Sequence, residues 1–288
     1  MIASTEIHIV PQLATPVRLQ EYGVGIFNRA LTKSALKKVL KKKYVTVNGV
    51  TATTATFIKG GETIQLTIQA AVSMGKRPIL RLNVLFEDEH LAIVYKPAGI
   101  LVSGNGFMTI AHVLPQNLKP SPLSDATAPQ PVHRLDYATT GLLLVGKTSS
   151  SIRDLNRLFA NKNVKKTYYA ITIGEMNATG EISATIDDKS SLSKYAVKAT
   201  VPSKRFGKLN LVRLNPKTGR RHQLRKHLSG IGNPILGDRD YGDKDLILKG
   251  KGLYLHAYAL KFVHPVTLES HHVVTEFPQR FKKIFEQL

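Results

Sequence analysis

The sequence contains no cysteine, and this absence excludes several classes of chemistry. No residue of the 288-residue chain can form a disulfide, act as a thiolate nucleophile or supply sulfur to a zinc site. Such a composition is compatible with a reducing cytosol. The N-terminus, MIASTEIHIVPQL, also lacks the basic segment and sustained apolar run of a secretory signal. We therefore expect a soluble, cytoplasmic protein.

Acidic residues are scarce relative to basic ones. Lys and Arg number 41 against 20 Asp and Glu, which gives a net charge of +21. A folded chain with this charge is expected to bind a polyanion. No apolar run approaches the roughly 18 residues of a membrane span, and no segment alternates basic and bulky apolar faces. Nucleic acid is therefore favoured as the partner over a membrane surface.

Several catalytic signatures are missing from the chain. It has no Gly-x-Ser-x-Gly elbow and no glycine-rich dinucleotide fingerprint after an early strand. His222 and His227 lie five residues apart and would not share a helix face, which argues against a metal site. A glycosidase would need two acids, and Asp125 and Asp154 lie in no recognisable motif. No metal is expected.

A basic segment lies in the first quarter of the chain. Leu36, Val39 and Leu40 recur at helical spacing and predict an amphipathic helix, and Asn48-Gly49 indicates a β-hairpin. The other face and end of the helix carry the lysine cluster, Lys37, Lys38, Lys41, Lys42 and Lys43. These lysines could contact RNA or only form a solvated surface. The absence of acids between residues 30 and 61 favours RNA contact.

The segment from Tyr22 to Leu66 resembles the S-four-type RNA-binding domain, named for a ribosomal small-subunit protein. The resemblance is carried by the basic helix, the hairpin at residues 45–49 and the closing Gly61-Glu62-Thr63-Ile64. It implies a small N-terminal α/β RNA-binding domain, which we assign to residues 14–70. Residues 71–82 have no clear periodicity and are predicted to be a linker.

The most informative stretch is 131–147, PVHRLDYATTGLLLVGK. Asp136 follows Arg134 and precedes an apolar run, where an unpaired carboxylate would tend to protonate. Arg221 and Arg225 lie four residues apart on a predicted helix and could bind phosphate or hold Asp136 ionised. An Asp136 paired in this way would be a nucleophile, or the pair would be a structural salt bridge. The residues alone favour neither interpretation.

Periodicity predicts the elements around this stretch. Strands are expected at residues 166–173, 196–201, 209–214 and 253–262. Ser149 or Ser150 could cap one helix, and another should run from near Arg221 to Gly230. The stretch from Gln116 to Pro131 is rich in Pro, Ser, Asp and Thr and is predicted to be an irregular loop. Strands dominate without regular βαβ alternation.

From Val84 onward the chain resembles the RluA family of RNA pseudouridine synthases, through several separated motifs in the family's order. These motifs are Leu91 to Gly99, His133 to Asp136 with Thr139 and Gly141, Lys166-Thr167-Tyr168, Thr218 to Arg225 with His227, Gly232 to Asp238 with Tyr241-Gly242, and Leu255-His256-Ala257 with Phe262 and His264-Pro265. Thr140 stands where the family usually has Ser, and Arg221 where it usually has Thr or Ser. Arg221 adds a cation that could contact phosphate.

The resemblance implies an α+β catalytic domain on a mixed, largely antiparallel sheet, at residues 83–288. The implied reaction isomerises uridine in RNA: the bond from nitrogen 1 to the ribose breaks, the base turns, and carbon 5 is joined instead. No cofactor is implied. Asp136 would act on the ribose, Tyr168 would stack on the uracil, and Arg225 would pair with Asp136 as the third catalytic residue.

The resemblance also implies which residues hold the substrate. The target nucleotide must leave its stack, and Arg134 would fill the vacated space. The other substrate-binding residues are expected to be His133, Arg221, His222 and Gln223. Ribosomal RNA is favoured over transfer RNA as the partner, and a monomer is expected. The alternative is a non-catalytic RNA-binding or ribosome assembly factor on the same fold, which would not require Asp136, Tyr168 and Arg225 together.

Overall fold

The computed structural model describes residues 4–68, 78–246, 248, 250 and 252–288. The chain divides into two compact units, Met1–Lys76 and Arg77–Leu288, each with its own apolar core. Most of the predicted linker, residues 71–77, lies outside the described residues, as do residues 69 and 70 at the end of the predicted first domain.

The smaller unit is built on an antiparallel sheet. Its elements are β1 (Ser4–Ile9), β2 (Val17–Arg18), α1 (Leu19–Tyr22), α2 (Lys33–Lys41), β3 (Val45–Val47), β4 (Val50–Thr51), β5 (Phe57–Ile58) and β6 (Thr63–Ile68). The four-stranded sheet has the order β1-β6-β3-β4, and β2 pairs separately with β5. Strand β1 pairs with β6 along its whole length, so this unit begins before residue 14, where the first domain was predicted to start.

Two local predictions in this unit are confirmed. Leu36, Val39 and Leu40 are buried on one face of α2, and the Thr32 hydroxyl caps the helix by accepting a hydrogen bond from the next turn. Asn48 and Gly49 both have positive φ, 48° and 80°, and join β3 to β4. Positive φ at both central residues matches the twist of a two-residue hairpin, which explains the strength of the Asn-Gly signal.

The larger unit contains a ten-stranded sheet. Its strands are β7 (Val84–Glu87), β8 (Leu91–Lys96), β9 (Ala126–Pro131), β10 (Thr140–Thr148), β11 (Lys165–Ile173), β12 (Thr179–Ile186), β13 (Lys189–Ser203), β14 (Gly207–Pro216), β15 (Leu255–Val263) and β16 (Ser270–Val274). Its helices are α3 (Ile110–Val113), α4 (Ser149–Ala160), α5 (Gln223–Gly230) and α6 (Gln279–Lys282), with short 3-10 turns at Leu114–Gln116 and Lys244–Leu246.

The sheet order is β12-β13-β14-β11-β15-β10-β8-β7, with β9 also paired to β10 and β16 to β15. Among the described strand pairs of this sheet, only β10 and β15 run parallel, over the two pairs Thr140–His256 and Gly141–Ala257. The predicted α+β class with a largely antiparallel sheet is confirmed. This short parallel contact lies directly after the turn that carries Asp136.

The predicted loop from Gln116 to Pro131 is wrong over its last six residues, which form strand β9. This strand pairs only with β10 among the described strands and contains Pro129 and Pro131. Proline cannot donate a hydrogen bond to a neighbouring strand, but a strand at the edge of a sheet tolerates it. The proline content of this stretch therefore did not exclude a strand. Helix α4 begins at Ser149, but its cap is Thr148, which exchanges hydrogen bonds with Ser151 in a capping box.

Gly141 makes the parallel contact possible. Its φ is +117°, and a Cβ added there would overlap the backbone carbonyl of Ala257. We predict that Gly141→Ala lowers the free energy of unfolding by roughly 2 kcal/mol or more. Alanine is strained at this positive φ, and its methyl group fits only if β15 moves away. Thermal or denaturant unfolding measures the loss. Gly230→Ala is the matched control, because it lies in α5 with open space around it. An equal loss in both variants would contradict the prediction.

Candidate active site

A cavity of about 770 Å³ in the larger unit brings most of the predicted site residues together. It is lined by the turn between β9 and β10, the first residues of β11, the end of β14 and the segment before α5. Its basic lining residues are Arg134, Lys162, Lys165, Lys166, Lys194, Lys217, Arg220 and Arg221. Asp136 is the sole acidic residue among the described residues that line it. The cavity therefore holds one carboxylate among eight cations.

A buried lysine holds the turn that carries Asp136. Lys96 is the last residue of β8, and it is fully buried. Its Nζ donates hydrogen bonds to the carbonyl oxygens of Pro97, Tyr137 and Thr139 at 2.9, 3.2 and 2.8 Å. The backbone N–H of Thr139 donates to the Asp136 carbonyl and closes the turn. The sequence prediction missed Lys96, which entered it only as one residue of the motif Leu91 to Gly99.

Lys96 also places a positive charge near Asp136. Burial lowers the pKa of Lys96 to about 8, and the negative charge of Asp136 opposes this shift. At neutral pH the ammonium therefore keeps its proton. The ammonium and the Asp136 carboxylate therefore attract each other within the fold.

The prediction that Arg225 pairs with Asp136 is wrong. Arg225 is 6% exposed, and its Nε and Nη2 donate to the two carboxylate oxygens of Asp238 at 2.7 and 2.6 Å. Nη2 also donates to Asp240 at 2.7 Å, and the guanidinium lies over the ring of Tyr241. Burial alone would lower the pKa of Arg225, but its hydrogen bonds to the two Asp residues raise it above the usual range. Arg225 faces the segment after residue 235 and is not a lining residue of the cavity.

His222 takes the place beside Asp136 that was predicted for Arg225. Its Nε2 lies 3.8 Å from Asp136 Oδ1, and its Nδ1 lies 2.9 Å from the hydroxyl of Tyr241. Helix α5 begins one residue later, at Gln223 rather than near Arg221 as predicted, and His222 is its N-cap with a left-handed backbone. His222 thus contacts the turn of Asp136 as well as lining the cavity.

Tyr168 lines the same cavity from β11. Burial and the charge of Asp136 together raise the pKa of Tyr168 well above its usual range, so the phenol is neutral at physiological pH. Its neighbour Tyr169 points the other way and packs edge-on against Tyr258 and Phe277. The cavity therefore presents a neutral phenol and a carboxylate to one bound group.

Comparison with known proteins identifies the family. Residues 90–230 match the family model of RNA pseudouridylate synthases. The chain is 34% identical over 266 residues to the ribosomal large subunit pseudouridine synthase D of Vibrio cholerae, covering 83% of this chain and 81% of that protein. It is 30% identical over 277 residues to the synthase C of Rickettsia conorii, covering 84% and 88%. The chain belongs to the RNA pseudouridylate synthase family.

A solved structure agrees with this assignment. The human RNA pseudouridylate synthase domain containing 4 superposes with a TM-score of 0.58 at 27% identity, covering 71% of this chain and 92% of that one. The protein is an RNA pseudouridine synthase, an isomerase. The matched residues 90–230 include Lys96, Asp136, Tyr168 and His222, which the fold brings to one cavity or its turn.

Two residues predicted to bind substrate have structural contacts in the synthase. His133 Nε2 accepts the backbone N–H of Leu144 at 2.9 Å, and its ring stacks on Phe159. Burial, with a smaller effect of nearby Lys166, lowers the pKa of His133 to about 3. The ring is therefore neutral and holds β10 against the turn, and it offers no charge to a phosphate.

Gln223 is likewise engaged within the fold. Its Oε1 accepts hydrogen bonds from the Thr218 hydroxyl and the Arg220 backbone at 2.7 and 2.9 Å. Its Nε2 donates to the Leu192 carbonyl and the Ser193 hydroxyl at 3.1 and 2.9 Å. These bonds fasten the segment before α5 to β13. In contrast, the other predicted contacts Arg134 and Arg221 are exposed and line the cavity.

The remaining predicted sites lie in the smaller unit. Lys38, Lys41, Lys42 and Lys43 are exposed on and after α2, and Lys37 is half-buried. The part of the chain that the structure describes contains no cluster of three or more His, Asp or Glu suited to a metal ion. None of its helices is long and apolar enough to cross a membrane.

We predict that Lys96→Met slows pseudouridine formation on the order of 100-fold, because three carbonyl hydrogen bonds and a nearby charge no longer hold the turn of Asp136. Single-turnover rates at saturating RNA measure the effect. Lys147→Met is the matched control: Lys147 is also buried on the sheet, but it binds Glu87 and is not a lining residue of the cavity. Both variants should lose stability. A control whose rate fell as much as that of Lys96→Met would contradict the prediction.

The pKa of Lys96 predicts opposite trends for rate and stability with pH. As pH rises through about 8, the folded enzyme loses the Lys96 proton, so the rate should fall. The unfolded chain holds that proton up to about 10.5, so it binds more protons than the folded chain in this range. The contribution of Lys96 to stability should therefore rise with pH between these values. Rate and unfolding profiles of the wild type and Lys96→Met measure both trends, and a rate loss that simply followed unfolding would contradict them.

Proposed function

We propose that this enzyme is an RluA-type synthase that converts uridine to pseudouridine in ribosomal RNA, with Asp136 as its catalytic carboxylate. The observation that carries the assignment is the cavity with one carboxylate among eight cations. Ribosomal RNA is the proposed substrate because the relatives from Vibrio cholerae and Rickettsia conorii are named as synthases of the large ribosomal subunit.

The charges of the cavity support RNA binding around an extruded nucleotide. The reaction touches both the base and ribose carbon 1′, so the target uridine must leave its stack. Phosphates of the flanking strand bind the cations at the cavity wall and release their counterions. Arg134 is exposed two residues before Asp136 and lines the cavity, and it fills the space that the extruded base leaves behind.

Asp136 acts on the ribose as the bond to nitrogen 1 breaks. The carboxylate either adds to carbon 1′ or removes a ribose proton, and both routes need it ionised. Lys96 supplies a positive charge that interacts with this carboxylate. After the base has turned and carbon 5 is joined to the ribose, carbon 5 must lose its proton.

Tyr168 packs against the uracil of the bound nucleotide. Because its phenol is neutral, it can take the carbon 5 proton only by passing its own proton to a partner. Asp136 is the charged group that raises the pKa of this phenol, so it is the proposed partner. Arg225 has no part in these steps. It supports the segment that carries His222.

Replacing the carboxylate tests the assignment. We expect Asp136→Asn to bind large-subunit ribosomal RNA within about twofold of the wild type and to form no pseudouridine, because the amide can neither attack nor hold a proton. Single-turnover assays with mapping of the modified position measure this. Asp154→Asn makes the same charge change on a partly exposed carboxylate of α4, outside the cavity, and should keep full activity. Turnover by Asp136→Asn would refute the role of Asp136. Tight, salt-dependent binding by a wild type that forms no pseudouridine would favour a non-catalytic RNA-binding factor.

We further propose that the smaller unit is the S-four-type domain and binds RNA through the lysine cluster. Replacing its four exposed members, Lys38, Lys41, Lys42 and Lys43, by Gln should weaken binding and reduce the slope of log affinity against log salt. The reduction should be roughly 0.7 to 0.9 for each phosphate that these lysines no longer neutralise. The rate at saturating RNA should not change, because these residues lie outside the cavity.

A control set with the same total charge separates this binding from the effect of net charge. Lys198, Lys204, Lys261 and Lys283 are exposed in the larger unit and are not lining residues of the cavity. Their replacement by Gln should change the salt slope less than replacement of the lysine cluster does. Equal changes in the two sets would show that only the overall charge matters.

A further inference from the structure

His222 occupies a strained position that helix formation does not explain. It has φ 55° and ψ 25°, and as the N-cap of α5 it makes no side-chain cap hydrogen bond. The left-handed region costs a non-glycine residue roughly 1–2 kcal/mol, and Ser, Asp or Asn would cap the helix better. Strain of this kind persists where the surrounding contacts fix it, and it is concentrated at functional sites.

The strained backbone turns the imidazole toward Asp136. The two side chains are each 17% exposed, and His222 Nε2 lies 3.8 Å from Asp136 Oδ1. The other nitrogen, Nδ1, lies 2.9 Å from the Tyr241 hydroxyl, and the two rings meet edge-on. Tyr241 is in turn covered by the Arg225 guanidinium at 4.9 Å from its ring centre. A series of contacts thus leads from the buried ion pair of Arg225 to the proposed catalytic carboxylate.

The charges around His222 determine which nitrogen carries its proton. Burial, Arg225 and Arg221 lower the pKa of His222, while Asp136 and Asp240 oppose the shift. The net lowering makes the ring neutral at physiological pH, so it has one N–H and one lone pair. A lone pair directed at the Asp136 carboxylate would be repelled. The proton therefore lies on Nε2, facing Asp136, and the Tyr241 hydroxyl donates to Nδ1.

We propose that His222, oriented by Tyr241, is a positioning residue for Asp136. Its Nε2–H holds Oδ1 of the carboxylate, which leaves Oδ2 aimed at the ribose of the extruded uridine. The separation of 3.8 Å exceeds a hydrogen bond, and it shortens when the nucleotide fills the cavity. This role rests on the proposed function of Asp136. It also differs from the substrate contact predicted for His222 from the sequence.

Two substitutions separate positioning from a structural role. The terminal nitrogen of Gln reaches the place of His Nε2, whereas that of Asn reaches only the place of Nδ1. Asn, however, tolerates the left-handed backbone better than Gln and is the better helix cap. Positioning therefore predicts a faster enzyme with Gln, while a purely structural role predicts the faster and more stable enzyme with Asn.

The experiment measures single-turnover pseudouridine formation at saturating ribosomal RNA, RNA affinity and thermal unfolding. We expect His222→Asn to lose on the order of 10- to 100-fold in rate, and His222→Gln less than about tenfold, with affinity within about twofold for both. A rate for His222→Asn equal to or above that of His222→Gln would overturn the proposal. An inactive wild type would overturn the proposed function itself, and with it this role.

The hydroxyl of Tyr241 provides an independent check. Tyr241→Phe should slow the reaction in the same direction, and its effect should be smaller in the His222→Asn background, because the two residues act through one contact. Tyr169→Phe, which removes a hydroxyl in the aromatic core, is the matched control and should keep its rate. Independent, additive losses for Tyr241 and His222 would contradict the proposed orientation.

Discussion

A single buried ammonium determines how the turn at the centre of this enzyme is built. Taking a lysine out of water costs several kcal/mol unless its three donors find acceptors. Lys96 finds them in the carbonyls of Pro97, Tyr137 and Thr139. Two of these carbonyls, those of Tyr137 and Thr139, belong to the turn that follows Asp136, so the ammonium holds the turn whose Asp136 side chain lines the cavity. The position of the Asp136 carboxylate therefore depends on the three backbone carbonyls that replace water around the Lys96 ammonium.

The features that the sequence predicted well depend on neighbours along the chain. The hairpin at Asn48-Gly49 follows from the backbone freedom of two residues, and the buried face of α2 follows from helical spacing. The grouping of Asp136 with Tyr168 came instead from the family resemblance, because no local pattern relates residues on different strands. The two residues do line one cavity, as the resemblance implied, and no periodicity of the sequence could have predicted this.

The features that the sequence did not predict depend on partners brought together by the fold. Arg225 and Asp136 have the right charges to pair, but Asp238 lies closer and offers two oxygens to the buried face of α5. His133 and Gln223, which the sequence predicted to bind substrate, form hydrogen bonds with the backbone of the fold instead. A polar residue in a motif can serve the fold or the ligand, and only its full set of hydrogen bonds distinguishes the two.

The charge of the cavity also bears on how the product leaves. Uridine and pseudouridine are isomers, so the reaction changes no phosphate and no net charge of the RNA. The eight cations therefore attract the modified strand as strongly as the unmodified one. Release must come from the uncharged contacts of the base, or from refolding of the RNA outside the enzyme. On this basis dissociation of the finished strand, rather than bond breaking, is the step that ionic strength should control.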